Sequence, residues 1–344
     1  MSCSTTSMRS MRILQVSSAQ NLGGGETHVI ELTAALRSLG HEVVIAGRKD
    51  GPLQPQIVLP FVNSADLFTA LRLRSILQKQ EFELVHAHVA RDYTVVAAAA
   101  WRLPRVKVVF TRHLLYPVKR HFLYKRVDGW LAPTSQILRT LDPLSPKRSA
   151  VVPNWVDVSK LEYRPHELHN PVTVGLIGQI SPHKGHDDAV DAIRDLGGRF
   201  RLLIAGKGEA SYEARLKSKA VGLPVEFLGF APLTEFFANI DILIVPSWEE
   251  PFGIVLLEGM ASGVPVIATH RGGPPEIIQS VDHGVLIPPN DPGSLARAIR
   301  ELADDEEQRV AIVRKAREHV EKNFDIRKVV PLIENFYEIT RSTK

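Results

Sequence analysis

Pro246-Ser-Trp-Glu-Glu-Pro-Phe-Gly-Ile-Val-Leu-Leu-Glu-Gly-Met-Ala-Ser-Gly-Val-Pro-Val-Ile-Ala-Thr269 is the stretch that decides the fold. The residues before it, Asp241-Ile-Leu-Ile-Val245, form an apolar run, the pattern of a buried strand in a parallel sheet. Pro246 and Ser247 end that strand, and a short acidic loop follows. Pro251 and Gly253 then deliver the chain into a helix expected from Ile254. Val264 to Ala268 reads as the next strand. The unit is strand, loop, helix, strand, and its loop lies at the carboxyl end of the sheet, where open α/β sheets bind ligands.

The loop has a specific chemistry. Gly253 allows close backbone approach, and the first N–H groups of the helix, at its positive dipole end, suit a phosphate. Glu250 stands just before that anion site and Glu258 about one turn inside the helix. Carboxylates in contact with a phosphate would repel it. They are better explained as acceptors for hydroxyl groups on either side of a diphosphate, one on a sugar and one on a ribose. Acidic capping of the helix is the plainer explanation of two glutamates alone. The Pro-Phe-Gly turn between them and Gly-x-Pro-Val-Ile-Ala after them favour the ligand site.

Outward from this stretch the chain alternates. Strands are expected near 12–18, 42–48, 56–61, 84–89, 107–112, 129–134 and 149–154, with helices from the Leu22-Gly-Gly-Gly-Glu26 turn to Leu39 and at 65–80, 92–103, 117–127 and 135–141. A polar, proline-bracketed segment, Arg164-Pro-His-Glu-Leu-His-Asn-Pro171, reads as a linker. A second series follows, with strands near 172–178, 200–205, 225–229, 241–245, 264–269 and 284–288, and helices at 186–196, 211–221, 232–239, 254–262 and 292–322. The fold class is α/β with parallel, doubly wound sheets. At 344 residues the chain suits two domains of ordinary size.

Composition excludes several function classes. Hydrophobic residues make up 44% and charged residues 23%, as in globular proteins. A net charge of +4 is too small to argue for nucleic acid without a concentrated stripe. The single cysteine, Cys3, provides neither a disulfide framework nor a thiolate metal site. Residues 1–10 lack the apolar core of a signal peptide and are expected to be a disordered leader. No window approaches the ~18 uninterrupted apolar residues of a membrane span. A cytoplasmic location is expected, with peripheral contact at the inner face of the membrane as an open reading.

Glu250-Pro-Phe-Gly-x-x-x-x-Glu258-x-Met-Ala-x-Gly-x-Pro resembles the donor-site signature of retaining GT-B glycosyltransferases, family four. The resemblance implies two Rossmann-like domains facing across a cleft. The first, at 11–164, would bind the acceptor; after a linker at 165–171, the second, at 172–325, would bind a nucleotide sugar. A terminal helix at 326–344 would cross back onto the first. It implies that Glu250 contacts the donor sugar, Glu258 the ribose, and the Phe252-Gly253-Ile254 turn amides the diphosphate. Gly24 matches the family glycine facing the donor phosphate, and His113, ending a strand, matches a histidine near the donor phosphates and acceptor. In the exit loop of the second domain's first strand, after Gly178, Lys184 fits the family's lysine. Gln179 stands where arginine is usual and brings no charge; Arg271 is a candidate replacement. Trp155, in Pro-Asn-Trp-Val-Asp157, also departs from the family's usual glycine.

Other stretches carry less. Gly23-Gly-Gly-Glu26 is neither a dinucleotide fingerprint nor a triphosphate loop. His86 and His88 alternate on one strand and face one side; a metal site there needs a third ligand, and none is evident. His28 and His41 read as structural or exposed. Asp187-Asp188 reads as helix capping, no Asp-x-Asp follows a strand, and no metal or cofactor is expected. The segment 102–126 interleaves eight basic residues with Phe110, Tyr116, Phe122 and Tyr124. It is either an ordinary solvated face or a cleft for a glycan or lipid-linked acceptor that touches anionic lipid. The resulting expectation is transfer of a sugar from a nucleotide-diphosphate sugar to an acceptor hydroxyl, possible acceptors including lipopolysaccharide-type and other cell-envelope glycans. No carboxylate nucleophile is evident, which agrees with the same-face displacement proposed for the family. The alternatives are a nucleotide-sugar epimerase of the same fold, a non-catalytic binding protein and, with its fingerprint missing, a NAD-dependent oxidoreductase.

Overall fold

A computed structural model describes residues 9–20 and 23–342. Residues 1–8 of the expected leader, and Leu22 of the expected turn, lie outside the described residues. Contacts divide the chain into two units, one running to Asn154 and taking in Val329–Lys344, the other Trp155–Lys328.

In the first unit the strands are β1 Arg12–Ser17, β2 Glu42–Gly47, β3 Ile57–Val58, β4 Leu84–Ala87, β5 Lys107–Thr111, β6 Gly129–Ala132 and β7 Ser149–Val151. They form one parallel sheet in the order β3-β2-β1-β4-β5-β6-β7. Its helices are α1 Gly24–Ser38, α2 Leu67–Lys79, α3 Tyr93–Ala99 and α4 Ser135–Arg139. Asp66 caps α2 by accepting from Thr69 N, and Thr134 caps α4 through Ile137 N.

In the second unit β8 Val172–Ile177, β9 Phe200–Ala205, β10 Val225–Gly229, β11 Ile242–Val245, β12 Val266–Thr269 and β13 Val285–Ile287 form a sheet ordered β10-β9-β8-β11-β12-β13, also parallel throughout. Its helices are α5 His186–Leu196, α6 Ala210–Lys219, α7 Leu233–Ala238, α8 Ile254–Ser262, α9 Pro274–Ile277, α10 Pro292–Asp304 and α11 Glu306–Asn323. The apolar runs are explained by burial on both faces. In β11, Ile242 and Ile244 join one core layer while Leu243 and Val245 join the other. In β12, Ile267 faces the first layer and Val266 and Ala268 the second. Each sheet has a point where the strand order reverses, between β1 and β4 and between β8 and β11.

The structure differs from the sequence reading in three main places. The expected helix at 117–127 is a 3-10 turn at Phe122–Arg126. Its neighbours bond elsewhere, Val118 N donating to Thr140 O and Arg120 Nε to Pro143 O. The helix expected at 292–322 is two helices, because Asp305 is extended and caps a new start by accepting from Gln308 N at 2.9 Å. Residues 155–171 belong to the second unit. Arg164 N donates to Ser262 O, and His166 and His169 both bond Asp241. The final helix, α12 Ile326–Ser342, passes into the first unit at Val329. There Glu334 bonds His41 at 2.9 Å and Tyr337 OH lies 2.6 Å from His86 Nδ1. His41 is therefore structural, as expected.

Candidate donor-binding site at the switch point of the second sheet

The loops after β8 and β11 leave neighbouring strands at the place where the second sheet reverses its order. That is the position at which a doubly wound sheet leaves room for a ligand. The two loops are locked together. Trp248 N donates to His183 O at 2.9 Å, and a Cβ on Gly185 would stand 2.0 Å from Pro246 O. The loop after β12 locks the other side. Gly273 N donates to Glu250 O at 2.7 Å and Glu250 N to Arg271 O at 3.3 Å, while Thr269 Oγ1 donates to Ser247 O at 2.7 Å. Gly272, at φ +92°, would place a Cβ 2.0 Å from Glu250 O, so only glycine fits there.

Glu250 is thus held by its backbone from two directions. Its side chain is only 10% exposed. Oε2 accepts from Lys184 Nζ at 2.6 Å and from Ser247 Oγ at 3.0 Å. Lys184 reaches it from a 3-10 turn, Pro182–Lys184, and keeps about a third of its side chain in solvent. The two residues assigned to one site from sequence therefore meet as an ion pair. Ser247 was missed; its place directly after the strand was the only signal.

Three residues beyond Glu250, Gly253 adopts φ +100° and starts α8 without any side-chain cap bond. No acidic residue occupies the first turn. The helix therefore presents backbone N–H groups and its positive end beside Lys184. Leu256, Leu257, Met260 and Ala261 bury the rest of α8. Phe252 is buried and Glu258 half-buried. Gly178 (φ +145°) and Gln179 are exposed on the loop after β8. Arg271, the candidate replacement for the arginine absent at Gln179, is 59% exposed and pairs with Glu249 at 3.7 Å.

Asp187 and Asp188 do not cap α5 with their side chains. Asp187 instead ties α5 to α6, accepting from Tyr212 OH at 2.8 Å and Arg215 Nη2 at 2.7 Å. Burial works against its charge, but bonds from Arg215, Tyr212 and Lys219 outweigh it and hold the carboxyl down at about 2. His186, between these loops, is fully buried, and that burial pushes it down to about 4.

In the first unit, Gly24 opens α1 and is exposed. His113 follows β5 and is half-buried; burial, then Arg112, push it down to about 4. His86 and His88 face one side, with ring centroids 4.0 Å apart. Their surroundings differ. His86 is held by Tyr337 and by Thr111 Oγ1 at 2.7 Å, whereas His88 lies in a group with His28 and His113. Sequence reasoning found no third ligand for the pair, because α1 and the ends of β4 and β5 meet only once the strand order is known. Within 102–126, Arg112 and Arg126 turn inward, Arg126 onto Asp128 and the Ala100 and Leu103 carbonyls. Arg120, Phe122, Lys125 and Lys147 instead line an open cavity of about 620 Å³. Trp155 is buried. Among the described residues no helix is long and apolar enough to cross a membrane.

Residues 22–160 match the model for Glycosyltransferase Family 4 and residues 160–319 that for Glycosyl transferases group 1. The chain belongs to this family of GT-B-fold glycosyltransferases and is an enzyme of that class. It is 26% identical to an uncharacterized glycosyltransferase of Methanocaldococcus jannaschii, over 92% of this chain and 95% of that one. It is 29% identical to a D-inositol 3-phosphate glycosyltransferase of Acidothermus cellulolyticus, over 85% and 80%. Its fold matches the crystal structure of Anabaena HepE in complex with UDP and glucose, with a TM-score of 0.83 at 21% identity, covering 96% of this chain and all of that one.

Proposed function

We propose that the chain moves a sugar from a nucleotide-diphosphate sugar to an acceptor hydroxyl with retention of anomeric configuration. The observation that carries this reading is the Lys184–Glu250 pair beside the uncapped start of α8 at a sheet switch point. On this reading an incoming diphosphate takes Lys184 away from Glu250. The ammonium and the Gly253–Ile254 amides then stabilise the leaving diphosphate, and the freed carboxylate accepts from the donor sugar's hydroxyls. Glu258 accepts from the ribose. With Lys184 and the helix end in place, the transfer needs no metal. Gly178 and Gln179 border the same loop, and Gln179 contributes hydrogen bonds without charge.

Gly24 and His113, in the first unit, are assigned to the donor phosphate and the acceptor on the family pattern alone. An anionic acceptor, a lipid-linked glycan included, fits the cavity bounded by Arg120, Lys125 and Lys147, and the exposed Phe122 beside it suits contact with a membrane surface. The HepE complexes with UDP and UDP-glucose support a uridine diphosphate donor as the first to try.

The test is a thermal-shift screen of nucleoside diphosphates, followed by release of the diphosphate from the matching sugar with EDTA present. A ligand at 100 times its Kd adds about 2.7 kcal/mol to the folded state. No stabilisation by any nucleoside diphosphate would refute the reading, and a product that is another nucleotide sugar would replace transfer with epimerisation.

A further inference from the structure

The first sheet carries its own cluster at its own switch point. His28 on α1, His88 just past β4 and His113 just past β5 each offer one ring nitrogen, all within 4.8 Å of one another. Ring centroids are 5.9 Å apart for His28 and His88 and 5.5 Å for His28 and His113. His88 fixes the chemistry. Its Nε2 lies 2.6 Å from Gln15 Oε1; with that oxygen accepting, Nε2 carries the hydrogen and Nδ1 is left as a bare lone pair. That Nδ1 is buried with no hydrogen-bond partner, on a residue 5% exposed, and His113 Nε2 is buried without a partner too. An acceptor left unmet inside a protein is costly, and a cation shared among three imidazoles meets it.

We propose that His28, His88 and His113 bind one divalent transition-metal ion of the zinc class. Three neutral imidazoles suit zinc, copper, nickel or iron, whereas magnesium and calcium demand oxygen ligands. Burial keeps the His28 and His88 rings uncharged at neutral pH, as ligation requires. Gln15 supplies the outer contact that orients a ligating imidazole. Zinc–nitrogen bonds of ~2.0–2.1 Å put tetrahedral ligands about 3.3 Å apart, so closure asks for movements of at most about 1.5 Å. The fourth position is left for water or another oxygen ligand. Arg112 next in sequence opposes added charge, so the affinity is modest.

A second group, His166, His169 and Asp241, has similar spacing but is closed on itself. Both imidazoles bond Asp241 Oδ1, at 3.1 and 2.8 Å, and Oδ2 accepts from Thr173 N at 2.6 Å. It fastens the 164–171 segment and offers no bare lone pair comparable to that of His88.

The assignment does not depend on the glycosyl-transfer reading, although a metal and an acceptor would compete for His113. The test is metal content, not turnover. Untagged, EDTA-stripped protein is titrated with Zn2+ by calorimetry and with Co2+ by visible absorption. One ion per chain is expected, with the intense d–d bands of a four- or five-coordinate nitrogen site. His88→Gln should lose affinity by at least roughly 10²-fold, while a His166→Asn/His169→Asn double variant keeps it. In case His88→Gln does not fold, nitrogen NMR of the wild-type imidazoles provides the second readout, with Zn2+ shifting His88 Nδ1 and His113 Nε2. No uptake by folded wild-type protein, uptake unchanged in folded His88→Gln, or imidazole nitrogens that do not move would each overturn the proposal.

Discussion

Removing the Lys184 ammonium separates a structural ion pair from a working one. In Lys184→Ala the buried Glu250 carboxylate keeps Ser247 Oγ but loses its charged partner at 2.6 Å. Breaking a fully buried pair costs about 3–5 kcal/mol. Lys184 is one third exposed, so water screens the pair and the loss expected is about 2 kcal/mol. In a domain of this size that is roughly 4–8 °C in melting temperature. Adding Glu250→Gln removes the stranded charge and should restore most of the stability. Turnover should behave otherwise. Loss of one preorganised charge at the leaving group costs on the order of 10²-fold, about 2.7 kcal/mol of barrier. The double variant has lost both the ammonium and the carboxylate, so its turnover should stay at least that low. Calorimetry and a diphosphate-release assay on the wild type, the two single variants and the double variant read both quantities. A double variant that melts like the wild type and also turns over within a few-fold of it would show that the pair only holds two loops together, and the mechanism above would fall.

Three further outcomes are expected. Glu258→Gln should weaken nucleoside diphosphate binding about 10-fold or more by calorimetry, the worth of a charged hydrogen bond; unchanged affinity in the folded variant would remove Glu258 from the site. Gly272→Ala forces a Cβ against Glu250 O from a backbone at φ +92°. Diphosphate binding should fall with stability, and a variant identical to wild type in both would contradict the described loop packing. His186, pushed down to about 4 by burial, is neutral in both states at pH 7. Below about 6.5 the unfolded chain binds a proton that the folded chain refuses, so stability falls as pH drops from about 6.5 towards 4. The full loss is about 3 kcal/mol. Urea midpoints at pH 7 and pH 5 should differ less in His186→Leu than in the wild type, and equal differences would refute the assignment.

Much of the fold was legible because parallel strands buried on both faces appear as predominantly apolar runs. Ile242–Val245, Val172–Ile177 and Phe200–Ala205 are found where such runs predict them. The missed break at Asp305 was also legible, as Asp305-x-x-Gln308 is a capping signal overlooked inside one long amphipathic pattern. The 117–127 helix failed because tertiary bonds at Val118 and Arg120 override a local pattern that merely permits helix. The pairing of Lys184 with Glu250 joins residues 66 apart in sequence. It depends on β8 and β11 being neighbours, which no local spacing encodes. The histidine group is hidden for the same reason, its members coming from α1 and from the ends of two adjacent strands.

The most direct measurement is a crystal structure with the nucleoside diphosphate that stabilises the protein most in the screen. Phosphate oxygens are expected within hydrogen-bond reach of the Gly253 and Ile254 amides, about 2.7–3.2 Å, with Lys184 Nζ moved from Glu250 to the diphosphate and Glu258 on the ribose. A nucleotide bound elsewhere, with Lys184 still on Glu250 and the start of α8 empty, would contradict the proposed donor site.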